Sequence, residues 1–264
     1  MSRWSAFRTV FGFFWFAGRK ARRTRLMALA GVLPVLAALA IQAERWVRGG
    51  AGPTGLEIFS SIILAFYLQF LVIILALFYG TSVVSEEIES RTLAYLTTRP
   101  IPKQAILLGK YAAYASWTSI LVAAGTLLSF LILNTDRLAD PAAWGILAKT
   151  LAVLILGLWV YMALFTLAGA ALKKSILVGL SFGFGWEMVV QYLPGSTQRF
   201  TVMHYLKSIL RAETPSPEGI KSFLFVRLQP SSTAVSILVL LLIGAAALAA
   251  AVWVFRRREY LFED

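Results

Sequence analysis

Three carboxylates, Glu86, Glu87 and Glu89, stand just ahead of Leu93, Tyr95 and Leu96 in the most polar internal stretch of the chain, Thr81 to Lys103. Acids at this density could hold a cation, transfer protons, or orient a protein partner. They have no nucleophile or metal-binding partner at matching spacing, so the third chemistry is favoured. Glu87 can pair with Arg91 at i, i+4, while Leu93 and Leu96 share one helical face with Tyr95 beside them. Arg99-Pro100 ends that turn, and Pro102 suits the first turn of the helix that follows. An apolar, aromatic knob flanked by charge is suited to a groove on another protein, with the charges setting orientation. The plainer alternative is a solvated turn at a membrane edge.

Other chemistry finds little support. The 264 residues include no Cys and one His, His204, which argues against disulfides, thiol nucleophiles and zinc or haem ligation, and no metal site is expected. Gly109-Lys110-Tyr111 lacks the upstream glycine and terminal hydroxyl of a phosphate-cradling loop. His204 has only Glu213 and Glu218 near it in sequence, and reads as a solvated or interfacial side chain. The chain is therefore expected to be non-catalytic and to bind no cofactor of its own.

The elements that carry the acidic stretch are membrane spans. Hydrophobic residues make up 59% of the chain, charged residues 14%, and mean hydropathy is +0.75, far from the roughly 25% charge of a soluble domain. The whole chain, 1–264, reads as a single all-α polytopic domain with no room for a separate catalytic domain of ~100 to 150 residues. Six spans are predicted: Leu26 to Ala43, Ile58 to Val84, Ala105 to Leu133, Trp144 to Leu172, Ser175 to Leu193, and Ala234 to Phe255. Pro34 is expected to kink the first.

Trp4, Phe7, Phe11 and Phe14 recur at helical spacing, so residues 1–20 read as an interfacial amphipathic helix that anchors in membrane lipid. A cleaved signal peptide, suggested by Ala38-Leu-Ala40, fits less well because the charged leader is long and aromatic. Sixteen basic residues fall on the face holding the leader, the 85–103 hairpin, Lys173-Lys174 and Arg256-Arg-Arg258, against nine on the other. That asymmetry places both termini and the hairpin in the cytosol. It also explains the formal charge of +12 through anionic lipid instead of nucleic acid.

The loop 194–230 is then extracytoplasmic, with two short interfacial helices separated by Thr214-Pro-Ser-Pro217. Gly179, Gly183 and Gly185, and the run from Gly244 to Ala251, allow close helix approach within one subunit or between subunits. Glu57, Lys110, Lys149 and Glu187 lie within about two turns of a span end, where side chains can snorkel to water. Gln69 is the deepest strongly polar group, open to a helix-to-helix hydrogen bond or a substrate contact.

At the hairpin the chain resembles the type-two family of ABC transporter permeases, six-span exporter subunits that work with a separate ATPase. The family pattern of acids, Gly-Thr-Leu, a second Leu, Pro-aliphatic-basic and a later Gly-Lys is met here by Glu86, Glu87, Glu89, Thr92, Leu93, Leu96, Pro100, Ile101, Lys103, Gly109 and Lys110. Arg91 replaces the usual glycine. The resemblance implies a coupling helix over Glu86 to Arg99 that inserts into the ATPase, with Glu86, Glu87, Glu89, Arg91, Thr92, Leu93, Tyr95, Leu96, Arg99 and Pro100 as contact residues. It implies two ATPase subunits that bind ATP and Mg, a second permease subunit forming a homodimer or heterodimer, and a prokaryotic inner (plasma) membrane location. It further implies a path lined by the second and fifth spans, for which Tyr67, Gln69 and Phe182 are the candidate residues.

Two other classes compete. An ion-coupled secondary transporter needs acids buried at mid-depth or paired broken helices, and a lipid-modifying membrane enzyme needs a clustered interfacial site. Neither signature is evident from the residues.

Overall fold

A computed structural model describes residues 3–20, 22–49, 52–89, 102–192, 196–211 and 231–257, and every regular element among them is helical. An apolar solvent dictates this, because backbone N–H and C=O groups in a bilayer must be satisfied within their own segment. The long helices are α1 (Arg3–Lys20) and α2 (Arg22–Val47), the latter running through Pro34. The second span is built from α3 (Gly55–Ile58), α4 (Leu64–Phe66) and α5 (Val72–Glu89), joined without interruption by π-helical turns at Phe59–Ile63 and Tyr67–Leu71. Then come α6 (Lys103–Leu133) and α7 (Pro141–Ala171).

Five stretches among the described residues are long and apolar enough to cross a membrane: Thr24–Val47, Gly55–Ser85, Lys103–Leu133, Pro141–Ala171 and Thr233–Arg257. The predicted fifth span differs from these. It consists of α8 (Ser175–Leu180), a π-helical turn over Ser181–Trp186 and α9 (Glu187–Tyr192). Its extent of about 27 Å at ~1.5 Å per residue falls just short of a ~30 Å hydrocarbon core. Beyond it, α10 (Val202–Arg211) leads towards the last helix, α11 (Thr233–Arg257).

The core lies where α5, α6 and α7 meet, with α2, α10 and α11 packed around them. Its polar groups are spent on helix-to-helix bonds. The Tyr79 hydroxyl donates to Thr24 Oγ1 at 2.9 Å, and Tyr67 Oη lies 3.2 Å from Ser129 Oγ. Phe59 and Phe130 meet edge to face at 5.3 Å. At the far end of the second span, Thr54 and Glu57 form a reciprocal capping box, so Glu57 fixes the start of α3.

Helix α1 lies along the first turns of α6. Trp4, Phe7, Phe11 and Trp15 form a stacked ladder on one side of it, so Trp15 takes the fourth place in the stripe expected over Trp4, Phe7, Phe11 and Phe14. Phe14 leaves that stripe and turns inward against Tyr114. Ala6 and Val10 are buried on the same inner face, and Val10 comes so close to Gly109 that a β-carbon there would lie 2.8 Å from its Cγ1. Glycine at position 109 is thus a requirement of the α1–α6 contact.

Candidate functional site

The segment expected to form the hairpin joins the end of α5 to the start of α6. The last turn of α5 carries the backbone of Glu86, Glu87 and Glu89, and α6 opens at Lys103 behind an extended Pro102 that serves as its N-cap. Proline is tolerated there because its missing N–H would have no intrahelical acceptor. Arg91, Thr92, Leu93, Tyr95, Leu96, Arg99 and Pro100 lie outside the described residues. Ser85 Oγ sits 3.0 Å from Ser175 Oγ, joining the end of α5 to the start of α8. The acidic hairpin and the Lys173-Lys174 turn therefore leave the bundle at the same end.

Gly109 and Lys110 sit beside this exit. Lys110 does not snorkel as its position suggested. It is fully buried beneath α1, with Nζ 4.9 Å from the centroid of the Phe14 ring and 5.7 Å from that of Tyr114. Aromatic faces attract a cation, and more strongly when water is excluded. The Gly-Lys pair thus has a local reason: Gly109 admits the α1 backbone and Lys110 holds its aromatic face.

The second and fifth segments meet over their π-helical turns. Phe70 contacts the Phe184 ring at 6.0 Å, Ile73 packs on Gly183, and Leu77 packs on Gly179. Those two glycines serve packing within the subunit. A π turn inserts one extra residue into a helical repeat and swings the following side chains round the axis, a geometry often found at functional sites. Of the candidate lining residues, Gln69 is half-buried beside the exposed edge of Phe70, and Phe182 is half-buried, edge-on to Phe165. Tyr67 is fully buried and faces Ser129 of α6, behind the surface that Gln69 and Phe70 present.

A polar cluster that the sequence reading missed lies at the α9–α10 junction. Glu187, expected to reach water, is 1% exposed. Its Oε1 accepts from Val202 N–H at 3.1 Å and its Oε2 from Met203 N–H at 3.2 Å, so one carboxylate caps the start of α10. Free amides and the helix dipole favour an anion there. The buried Tyr161 hydroxyl lies against the same carboxylate and against the backbone of Met203. Lys207 lies nearby; burial pushes its ammonium down to about 8, against the pull of Glu187.

Helix α10 is accordingly not the interfacial helix expected from its amphipathic sequence. Most of its residues are buried, with Leu206 over Gly157 of α7. His204, expected to be solvated, is also buried, its Nε2 3.1 Å from Ser231 Oγ. Burial and the Arg199 charge hold its imidazole below the usual range. Amphipathicity here records one helix face against α7 and another against polar loop ends, which a sequence cannot distinguish from lipid and water. The second predicted helix of the 194–230 loop lies outside the described residues.

No curated protein matches the chain at a significant level. A family model does, and it covers most of the sequence. With its apolar helical bundle and a match over residues 17–260 to the family described as ABC-2 family transporter protein, the chain belongs to the ABC-2 family of multi-pass membrane transport proteins.

Proposed function

We propose that the protein is the permease subunit of an ATP-driven exporter, moving its substrate with energy taken from a separate ATPase through the 85–103 hairpin. Family membership supports a permease role. The observation that carries the coupling role is the Ser85–Ser175 contact, which gathers the acidic hairpin and the Lys173-Lys174 turn at one end of the bundle. Helix α1 lies against Gly109, within the first two turns of α6 from that end. An end rich in Lys and Arg beside apolar spans belongs in the cytosol, where an ATPase would be.

In this reading the segment Ser175 to Leu193 is a sixth span, both termini are cytosolic, and the membrane is a prokaryotic inner membrane. Two such permeases work with two ATPases that hold the ATP and Mg. Closure of the ATPase pair on nucleotide rocks the hairpin, and α5 and α6 carry that motion into the bundle. Leu93, Tyr95 and Leu96 form the docking knob; Glu86, Glu87, Glu89, Arg91 and Arg99 set its orientation; Thr92 and Pro100 bound the turn. The substrate passes along the face of the second and fifth segments, past Gln69 and Phe182, with Tyr67 bracing that wall from behind.

An ion-coupled carrier gains one observation, the buried Glu187. Its two oxygens are both engaged in capping α10, however, which is structural work. Purification in mild detergent with the neighbouring gene products separates the readings. The permease co-elutes with a Walker-motif ATPase whose hydrolysis it stimulates. A chain that elutes alone and drives uptake or efflux from an ion gradient contradicts the proposal.

A further inference from the structure

A groove of about 550 Å³ runs between α6, α7 and α11. Helix α7 meets the second segment through Met162 and Gly169, which close on Gly80 and Thr81, whereas Ala152, Leu156 and Trp159 line the groove on another of its faces. The walls are almost wholly apolar because the amphipathic residues on them are already satisfied. The Tyr111 hydroxyl donates to the Trp159 carbonyl at 2.8 Å, and Trp159 Nε1–H donates to Ser119 Oγ at 3.0 Å. Their rings meet edge to face at 6.2 Å, which leaves ring carbons to line the groove. Ala152, Gly244 and Ala245 keep it open. Its size falls in the ~300 to 1,000 Å³ range of ligand sites. Walls that offer no hydrogen bond suit a hydrocarbon occupant.

What selects that hydrocarbon is a charge on the same helix. Leu241, Ala245, Leu248, Val252 and Arg256 follow one another at steps of four, three, four and four, so they share one stripe of α11. At ~1.5 Å per residue, Leu248 stands about 12 Å from the exposed Arg256 and Leu241 about 22 Å from it. Half of a ~30 Å core is ~15 Å deep. A chain whose headgroup rests on Arg256 therefore enters the groove at Leu248 and, held straight, passes the midplane to reach Leu241. Arg257 is turned elsewhere, its guanidinium 4.4 Å from the centroid of the Trp253 ring. At the opposite mouth Lys149 stands one turn before Ala152, half-buried and already engaged. A guanidinium binds phosphate oxygens through paired N–H groups and draws in lipids of net negative charge. We propose that the groove holds one acyl chain of an anionic phospholipid whose headgroup sits on Arg256, and that this lipid ties α11 to the α6–α7 core.

The full chain is reconstituted in phosphatidylcholine vesicles containing phosphatidylglycerol with a diazirine on its acyl chain, or phosphatidylcholine with the same label, and the residues crosslinked on illumination are mapped. Labelling is expected within 240–248 and 152–160, about fivefold stronger from the phosphatidylglycerol probe. Leu36 of α2, exposed along the first span, should take both probes equally. Ala245→Phe, which fills the groove from an exposed position, is expected to cut groove labelling about tenfold. Ala152→Phe, also exposed, carries the same comparison if the first variant is not monodisperse. Arg256→Gln is expected to abolish the phosphatidylglycerol preference, while Arg257→Gln and Lys149→Gln keep it. Unlabelled phosphatidylglycerol should raise the melting temperature of the wild type and leave that of Ala245→Phe unchanged. Equal labelling by the two probes, groove labelling no stronger than at Leu36, or a preference that survives Arg256→Gln or is lost in either control overturns the proposal. So does a groove closed to both probes whose Ala245→Cys variant forms an intermolecular disulfide, which assigns it to a second copy. A wild-type melting temperature indifferent to phosphatidylglycerol overturns the tie to α11.

Discussion

The Ser85 and Ser175 hydroxyls lie 3.0 Å apart, although ninety positions separate them in the chain. This contact joins the end of α5 to the start of the fifth segment. The two segments stay in register further in, through Leu77 on Gly179 and Ile73 on Gly183. Replacing both serines with cysteine in this cysteine-free chain should give an intramolecular disulfide under mild oxidation, seen as a faster band on a non-reducing gel. Failure to cross-link, with both thiols reactive, would contradict the contact.

Helix α1 should depend on the space at Gly109. A leucine there would drive into Val10 and the backbone of Phe11, and overpacking of this kind typically costs about 1–3 kcal/mol. Gly109→Leu is expected to lower the melting temperature in detergent and to expose α1 to protease. Gly145→Leu, at a site with open space around it, is the control and should melt like the wild type.

The docking knob is expected to carry coupling without carrying the fold. Leu93→Asp with Leu96→Asp should abolish ATPase association and transport while the protein remains monodisperse, since buried apolar anchors dominate most interfaces. Unchanged association and transport would count against the docking role.

Lys207 gives a pH prediction with a definite sign. Its pKa in the folded chain is lowered from 10.5 to about 8, so the buried site favours the neutral amine. Below about pH 8 the folded protein bears the full cost of burying the charged form. That cost is relieved as pH rises from about 8 towards the unfolded value near 10.5. Melting temperature, compared with Lys207→Met, should therefore rise relative to the variant between pH 7.5 and 9.5; a flat difference would contradict it.

Much of this architecture was legible in the residues. Five apolar runs announced spans because length and hydropathy alone decide membrane insertion. The helical spacing of Trp4, Phe7 and Phe11 marks the stacked face of α1, whereas Gly109-Lys110 stands out only as part of a motif and nothing in the sequence reveals its contacts with Val10 and Phe14. The residues that misled were those whose partners are distant in sequence. Glu187 and Lys110 stood near span ends, and position alone suggested water, yet one found the amides of α10 and the other two aromatic faces. His204 read as solvated because nothing in its own segment reveals Ser231 across a long loop. The π turns of the second and fifth segments were not legible either, because they leave no mark in hydropathy.

The coupling claim is tested most directly at Tyr95. A photo-crosslinking amino acid at this position, activated in native membranes, should capture an ATP-binding subunit carrying a Walker motif. The yield should change when nucleotide is trapped on that subunit. A position 95 that reacts with impermeant reagents from outside the cell, or that captures no ATPase in membranes where transport is active, would contradict the account.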